Sequence, residues 1–226
     1  MSPLLLALAF TGALDLPEQS LSSGPDPSIA IIASGSPDWE KQRANRIMDR
    51  LGALLSPQRP LLVGWFDAEP VLPRSFATRS ANRQLIRMMP RTPMRDALET
   101  GLAVLTNTPG PRAMVVIARA QFYPTSIPIS QILQQARLAA APIYAIHLAS
   151  GSDQAHPTKR AAHFAGNLFS QSFERLVIRQ RSSSELDTLR QLNLLSETTG
   201  GWACQARDED TAIACAGEVA RRIEER

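Results

Sequence analysis

The sequence predicts an α/β domain: a Rossmann-like, doubly wound, mostly parallel sheet with helices on both faces. Three observations carry this. From Thr92 to Leu148 the chain alternates twice between an amphipathic helical pattern and a short apolar run. Those runs, Ala113–Ala118 and Pro142–Leu148, are almost wholly apolar rather than alternating, as strands covered on both faces must be. The chain has 226 residues, 44% hydrophobic and 20% charged, enough for one domain with a sizeable core.

The elements follow in order. Residues 1–27 carry Pro, Ser and Gly and read as a leader and linker. Ser28–Ser34 is a buried strand. Asp38 is placed to cap a helix in which Ile47, Met48, Leu51, Leu54 and Leu55 share one face, and Pro57 and Pro60 end it. Leu61–Phe66 is the second strand. Val71–Phe76 fits a short strand paired with it, confined to an edge by Pro73. Ser80–Met89 has the look of a short helix. In the helix after Thr92, residues Met94, Ala97, Leu98, Gly101, Leu102 and Leu105 fall on one side. Pro93 sits in its first turn, where a missing N–H costs nothing. Ser130–Ala140 is helical. Residues 151–181 are too long and polar for a simple connection and read as an insertion, with a short helix near Ala161–Phe169 and a strand at Arg175–Ile178. Leu186, Leu189, Leu192 and Leu195 mark another helix, broken by Gly200 and Gly201. Trp202–Cys204 is a last short strand. Ala212, Ile213, Ala216, Val219, Ala220 and Ile223 lay the C-terminal helix on the sheet.

Composition narrows the function classes. The formal net charge is +3, and Lys41 and Lys159 are the only lysines among 24 basic residues. The arginines are scattered, so no run forms a nucleic-acid footprint. The apolar run that ends near Ala13 resembles the hydrophobic part of a signal peptide, without a basic residue before it. It is too short to span a bilayer. A partial signal peptide makes the protein secreted or periplasmic; a non-secretory leader leaves it cytoplasmic. Cys204 and Cys215 are the only cysteines, which excludes a cysteine-rich metal site. In an exported chain they could bridge. Otherwise they are two small buried thiols, and that is the expectation adopted.

Four stretches then carry a family resemblance: Ser34-Gly35-Ser36 ending the first strand, Thr92-Pro93 with Asp96-Ala97-Leu98 opening a helix, Ala136 to Ile146 across a helix–strand junction, and Leu189 to Gly201 before the last strand. From Ser28 onward the chain resembles a von Willebrand factor A domain, especially the bacterial VWFA-related group. The resemblance implies a ligand site at the carboxyl ends of the strands. There the family holds Mg²⁺ or a similar ion with Asp-x-Ser-x-Ser, a Thr, and an Asp after the central strand. Hard divalent ions need such oxygen ligands and carboxylate charge. Here Ser34, Ser36 and Thr92 match the hydroxyls, but Ile32 and Arg119 stand at the two acidic positions. Three neutral hydroxyls beside a guanidinium do not hold Mg²⁺. The resemblance thus implies a degenerate metal site, no cofactor, and a non-catalytic module that binds a protein partner.

Ser34, Ser36, Thr92 and Arg119, with Gly35, would cluster where strand ends meet helix N-termini, a suitable place for a carboxylate or other anion. In the plainer reading Arg119 pairs with Asp38 or Asp67, the hydroxyls cap helices, and Asp96 favours its helix dipole. The alternative function is a hydrolase or transferase with Ser34 or Ser36 as nucleophile and His147, His156 or His163 as base. The Ser34 region is not Gly-x-Ser-x-Gly, and no Gly-x-Gly-x-x-Gly or phosphate-binding loop exists. His147 lies in an apolar strand and reads as a satisfied core residue. His156 and His163 fall in the polar insertion. Trp39, Trp65 and Trp202 stand at element ends, where large aromatics anchor loops over a sheet.

Overall fold

The structure, a computed structural model, describes residues 28–35, 38–56, 59–66, 83–86, 88, 92–119, 125–149 and 185–226. Its strands are β1 (Ser28–Ser34), β2 (Leu61–Phe66), β3 (Arg83–Ile86), β4 (Arg112–Ala118), β5 (Ile143–Leu148) and β6 (Trp202–Ala206). Its helices are α1 (Asp38–Leu54), α2 (Met94–Thr106), α3 (Ile129–Leu138), α4 (residues 185–199) and α5 (Glu209–Glu224). The strands form one sheet in the order β3-β2-β1-β4-β5-β6, and every pairing is parallel. The predicted doubly wound fold is therefore present, and chain order reverses between β1 and β4.

Period-two alternation divides each strand between two cores. Ile29, Ile31 and Ala33 of β1 join Val115, Ile117, Tyr144 and Ile146 beneath α1 and α5. Ala30 and Ile32 join Met114, Val116, Ala118 and Ala145 beneath α2, α3 and α4. All seven residues of β1 are buried, which is why its sequence shows no polar alternation. The six predicted inward residues of α2 are the six that are buried. Gly101 lets this helix approach closely: a Cβ there would lie 2.7 Å from Met114 Cε and 3.1 Å from Ile32 Cδ1.

Several expectations are corrected. Ser80–Met89 is not a helix; within it Arg83–Ile86 is a strand in register with Leu61–Gly64. Gly64 creates the notch that holds it, since a Cβ there would meet Met88 Cε at 2.7 Å and Ile86 Cβ at 3.4 Å. Pro93 precedes α2 as its N-cap, with an extended ψ of 153°, rather than lying in its first turn. Leu54 and Leu186 are exposed, while Leu192 and Leu195 are fully buried. In α5, Cys215 is buried and Ile213 only half-buried. The cysteines are not free thiols: Cys204 and Cys215 form a disulfide, with Cα atoms 6.0 Å apart. Residue 204 of β6 faces the helix that follows it, so α5 lying back along the sheet brings residue 215 to it. The leader (1–27), Val71–Phe76, and the insertion at 151–181 with its two proposed elements lie outside the described residues.

α5 has the clearest local signals. Asp208 accepts a hydrogen bond from Thr211 N–H at 2.7 Å as its N-cap, Glu209 and Asp210 occupy the first turn, and Arg221 and Arg222 the last. At its C-terminal end Arg59, 8% exposed, pairs with Glu224 at 2.6 Å and fixes the entry to β2. Gly200 (φ 74°) ends α4, and Gly201 passes so close to β5 that a Cβ would sit 1.9 Å from the Ile143 carbonyl oxygen.

Two glycines should respond oppositely. Gly201→Ala must push backbone apart and should cost more than about 2 kcal/mol in urea unfolding. Gly217→Ala, within α5 and with nothing within 4 Å of the added Cβ, should gain about 0.5–1 kcal/mol. Equal effects would contradict the Gly201 contact. Reducing the disulfide, which closes a loop of sequence separation 11, should lower stability by roughly 2–3 kcal/mol. A dithiothreitol-insensitive midpoint would mean the bridge does not form.

Candidate functional site

The carboxyl ends of β1 and β4 part at the reversal of strand order, the place where open α/β sheets bind ligands. Ser34 closes β1 and is 4% exposed. The next residue, Gly35, donates its N–H to Phe66 O at 3.1 Å and so fastens the loop to β2. Thr92 is half-buried just before α2. Arg119 directly follows β4. Ser34, Thr92 and Arg119 therefore lie on segments that converge at this end of the sheet, while Ser36 lies outside the described residues.

Arg119 meets a residue that sequence reasoning did not single out. Its Nε donates to Glu185 Oε1 at 3.1 Å, with the two side chains 18% and 21% exposed. The expected partners, Asp67 and the Asp38 side chain, lie outside the described residues. Glu185 is the first described residue of α4, 66 positions later in the chain. No local motif links the two positions, and only the packing of α4 on the α2 side of the sheet joins them. Asp96 has a second role besides its place in the first turn of α2: it accepts a hydrogen bond from Thr125 Oγ1, which itself accepts from Ile127 N–H at 3.1 Å. Arg95 donates to Ile127 O at 2.9 Å and to Gln191 Oε1 at 3.2 Å, tying α2 to α4 and to the segment before α3.

His147 belongs to this neighbourhood. The register pairs it with Ala118, and alternation from Ala145 turns it to the α2–α4 side. It is 2% exposed, and neither ring nitrogen has a hydrogen-bond partner among the described residues. The expected satisfied core histidine is therefore an unsatisfied one. Burial pushes its pKa down; the Glu185 carboxylate opposes this and the Arg119 guanidinium adds to it. Ser34, two residues after Ile32, faces the same side one strand beyond Ala118. With His147 unbonded, no Ser34–His147 hydrogen bond exists to activate the hydroxyl. His156 and His163 lie outside the described residues.

Ile32 is fully buried, and its side chain lies under Gly101 of α2 rather than at the strand end. Arg119, directly after β4, brings a positive charge to this end of the sheet. Among the described residues no group of three or more His, Cys, Asp or Glu is placed to hold a metal. Nor is any described helix long and apolar enough to cross a membrane.

No family model matches the chain, and no curated protein matches it in sequence. Among solved structures it is similar to a von Willebrand factor type A protein from Catenulispora acidiphila, with a TM-score of 0.53 and 9% sequence identity. The match covers 88% of this chain and 43% of that one, so this chain spans less than half of that protein's length. The likeness is one of fold: a von Willebrand factor A-like arrangement of sheet and helices.

The lowered pKa of His147 fixes a sign. The unfolded chain binds the proton at about pH 6.5 while the folded domain still resists it, so stability falls as pH drops through that value. The slope from this one group reaches at most about 1.4 kcal/mol per pH unit. His147→Phe should remove that share and be at least as stable near neutrality, because it deletes two unsatisfied polar atoms. Identical acid slopes in urea unfolding of both proteins would show that His147 is not buried neutral.

Proposed function

We propose that this is a non-catalytic, protein-binding domain of von Willebrand factor A type that presents the carboxyl ends of its strands without a metal ion. One observation carries the reading: at the switch point, where the resemblance expects an acidic metal ligand, a fixed guanidinium is paired with a carboxylate from α4. This pair supplies one positive and one negative charge at the carboxyl ends of the strands. Ser34 ends β1 and Thr92 precedes α2, two neutral hydroxyl residues on segments that lead to the same end of the sheet. Among the described residues His147 makes no hydrogen bond to a hydroxyl, which favours binding over the hydrolase or transferase alternative. The domain belongs, in this proposal, to an exported bacterial protein. The Cys204–Cys215 bridge supports an oxidising compartment, as does the apolar run ending near Ala13.

Thermal unfolding with Mg²⁺, Mn²⁺ or chelator tests the metal-free reading. The midpoint should be the same in all three. An ion at a hundred times its dissociation constant would add about 2.7 kcal/mol, raising the midpoint by roughly 5–10 °C for a domain this size. Such a rise, reversed by chelator, would sink the proposal. Capture experiments with cell-envelope proteins should yield a partner that Arg119→Glu fails to retain. A partner retained equally by that variant would move the interaction to another surface.

A further inference from the structure

We propose that the Cys204–Cys215 bridge is a redox latch on β6. Oxidised, it holds the carboxyl half of this edge strand against β5; reduced, it lets that half leave the sheet while α5 stays docked. The latch belongs to the fold alone and stands apart from the interaction reading above.

β6 has little of its own to hold it. It ends the sheet and, among the described residues, pairs with β5 alone. Trp202, Ala203 and Cys204 are half-buried, Gln205 is exposed, and Ala206 is the one buried residue. Beyond Trp202 the side chains are two alanines, a glutamine and the bridged cysteine, so the strand removes little apolar surface from water. Its amino end has other anchors. The Arg222 guanidinium lies 5.1 Å from the centroid of the Trp202 ring, and Arg226 donates to the Gly200 carbonyl. From Cys204 onward, the bridge is the side-chain link to α5. α5 does not need that link. Besides Cys215 it buries Ala212, Ala216, Val219, Ala220 and Ile223. From α1, Arg43 donates to the Asp208 carbonyl and Arg46 pairs with Glu209 at 2.5 Å. At the other end Glu224 accepts from Arg59 at 2.6 Å and from Ser56 N–H at 3.2 Å. Opening the bridge therefore loosens the strand and not the helix.

The register says what the latch controls. Gln205 pairs with His147 and Ala206 with Leu148, and Ala149 N–H donates to Ala206 O at 2.9 Å. Ala206 thus turns its backbone groups to β5, and by the strand's period of two so does Cys204. Release leaves the carboxyl end of β5, from Ile146 to Ala149, without its neighbour on that side. The chemistry needs a dithiol reductant. Cys204 is half-buried and Cys215 only 3% exposed, so the reductant's thiolate attacks the Cys204 sulfur. The S–S bond breaks, and Cys215 leaves as a thiolate and takes up a proton. The reductant's second thiol then displaces the Cys204 sulfur from the mixed disulfide. The reductant departs as a disulfide, and the domain has gained two electrons and two protons.

Amide hydrogen exchange of the full chain, read by NMR with and without dithiothreitol, tests this. In the oxidised domain the amides of Cys204, Ala206 and Ala149 should exchange at least about a hundredfold more slowly than in an unstructured peptide. After reduction they should come within about tenfold of that peptide rate. Amides of α5 and β4 should then still be slowed about a thousandfold or more. The double variant Cys204→Ala, Cys215→Ala should show the reduced pattern without reductant; if it does not fold, the reduced unaltered chain decides. Strand amides protected in both redox states overturn the proposal, as do strand amides open in both. Loss of protection in α5 together with β6 also overturns it, as does unfolding of the reduced domain in circular dichroism. Either result would mean that the bridge holds the helix or the whole domain.

Discussion

The two-sided burial of β1 and β4 is the constraint on which the domain depends. Both strands lie inside the sheet, with α1 and α5 on one face and α2, α3 and α4 on the other. Their side chains must be apolar in both directions, and close packing leaves little tolerance, as Gly101 over Ile32 and Met114 shows. Polar chemistry is thereby pushed to the strand ends. At the amino end of β2 it takes the form of the Arg59–Glu224 pair, its guanidinium nearly buried and its carboxylate open to water, which ties the residues before β2 to the C-terminal helix. At the carboxyl ends it takes the form of Ser34, Arg119 and His147.

Each end holds an ion pair that is partly open to solvent. Arg59 is nearly buried, so losing Glu224, itself 35% exposed, would strand a charge. Arg119 and Glu185 are 18% and 21% exposed, between those two extremes. An open ion pair beside a buried, unsatisfied imidazole is an expensive way to hold a sheet together, since a hydrophobic residue at 147 would pack without the penalty.

Much of the fold was legible because its strongest signals are periodic and local. The six buried residues of α2 and the apolar strands β1, β2, β4 and β5 follow from pattern alone. β3 was not legible. Its four residues are too few to show a period, and what makes them a strand is the notch at Gly64 on a neighbouring strand. The disulfide was equally hidden, because it requires α5 to fold back along β6. At the site, Ser34, Thr92 and Arg119 could be named from motif positions. Glu185 could not: it lies beyond a long polar stretch, and its nearness to Arg119 exists only once α4 is docked. His147 could be named, but not its unsatisfied state, which depends on what the fold fails to place beside it.

In the proposed reading a guanidinium stands where the resemblance expects a metal ligand, and the two groups discriminate differently. A divalent ion held by carboxylates presents a small, strongly charged point with octahedral demands. A guanidinium presents a planar fork of donors with a single charge, matched in shape to one carboxylate. At Arg119 that carboxylate is already supplied by the chain, so charge alone cannot select a partner. What the described residues leave unanswered at this end of the sheet is the buried ring of His147, whose two nitrogens have no hydrogen-bond partner among them, so the cost of burying polar groups there falls on the imidazole rather than on the ion pair.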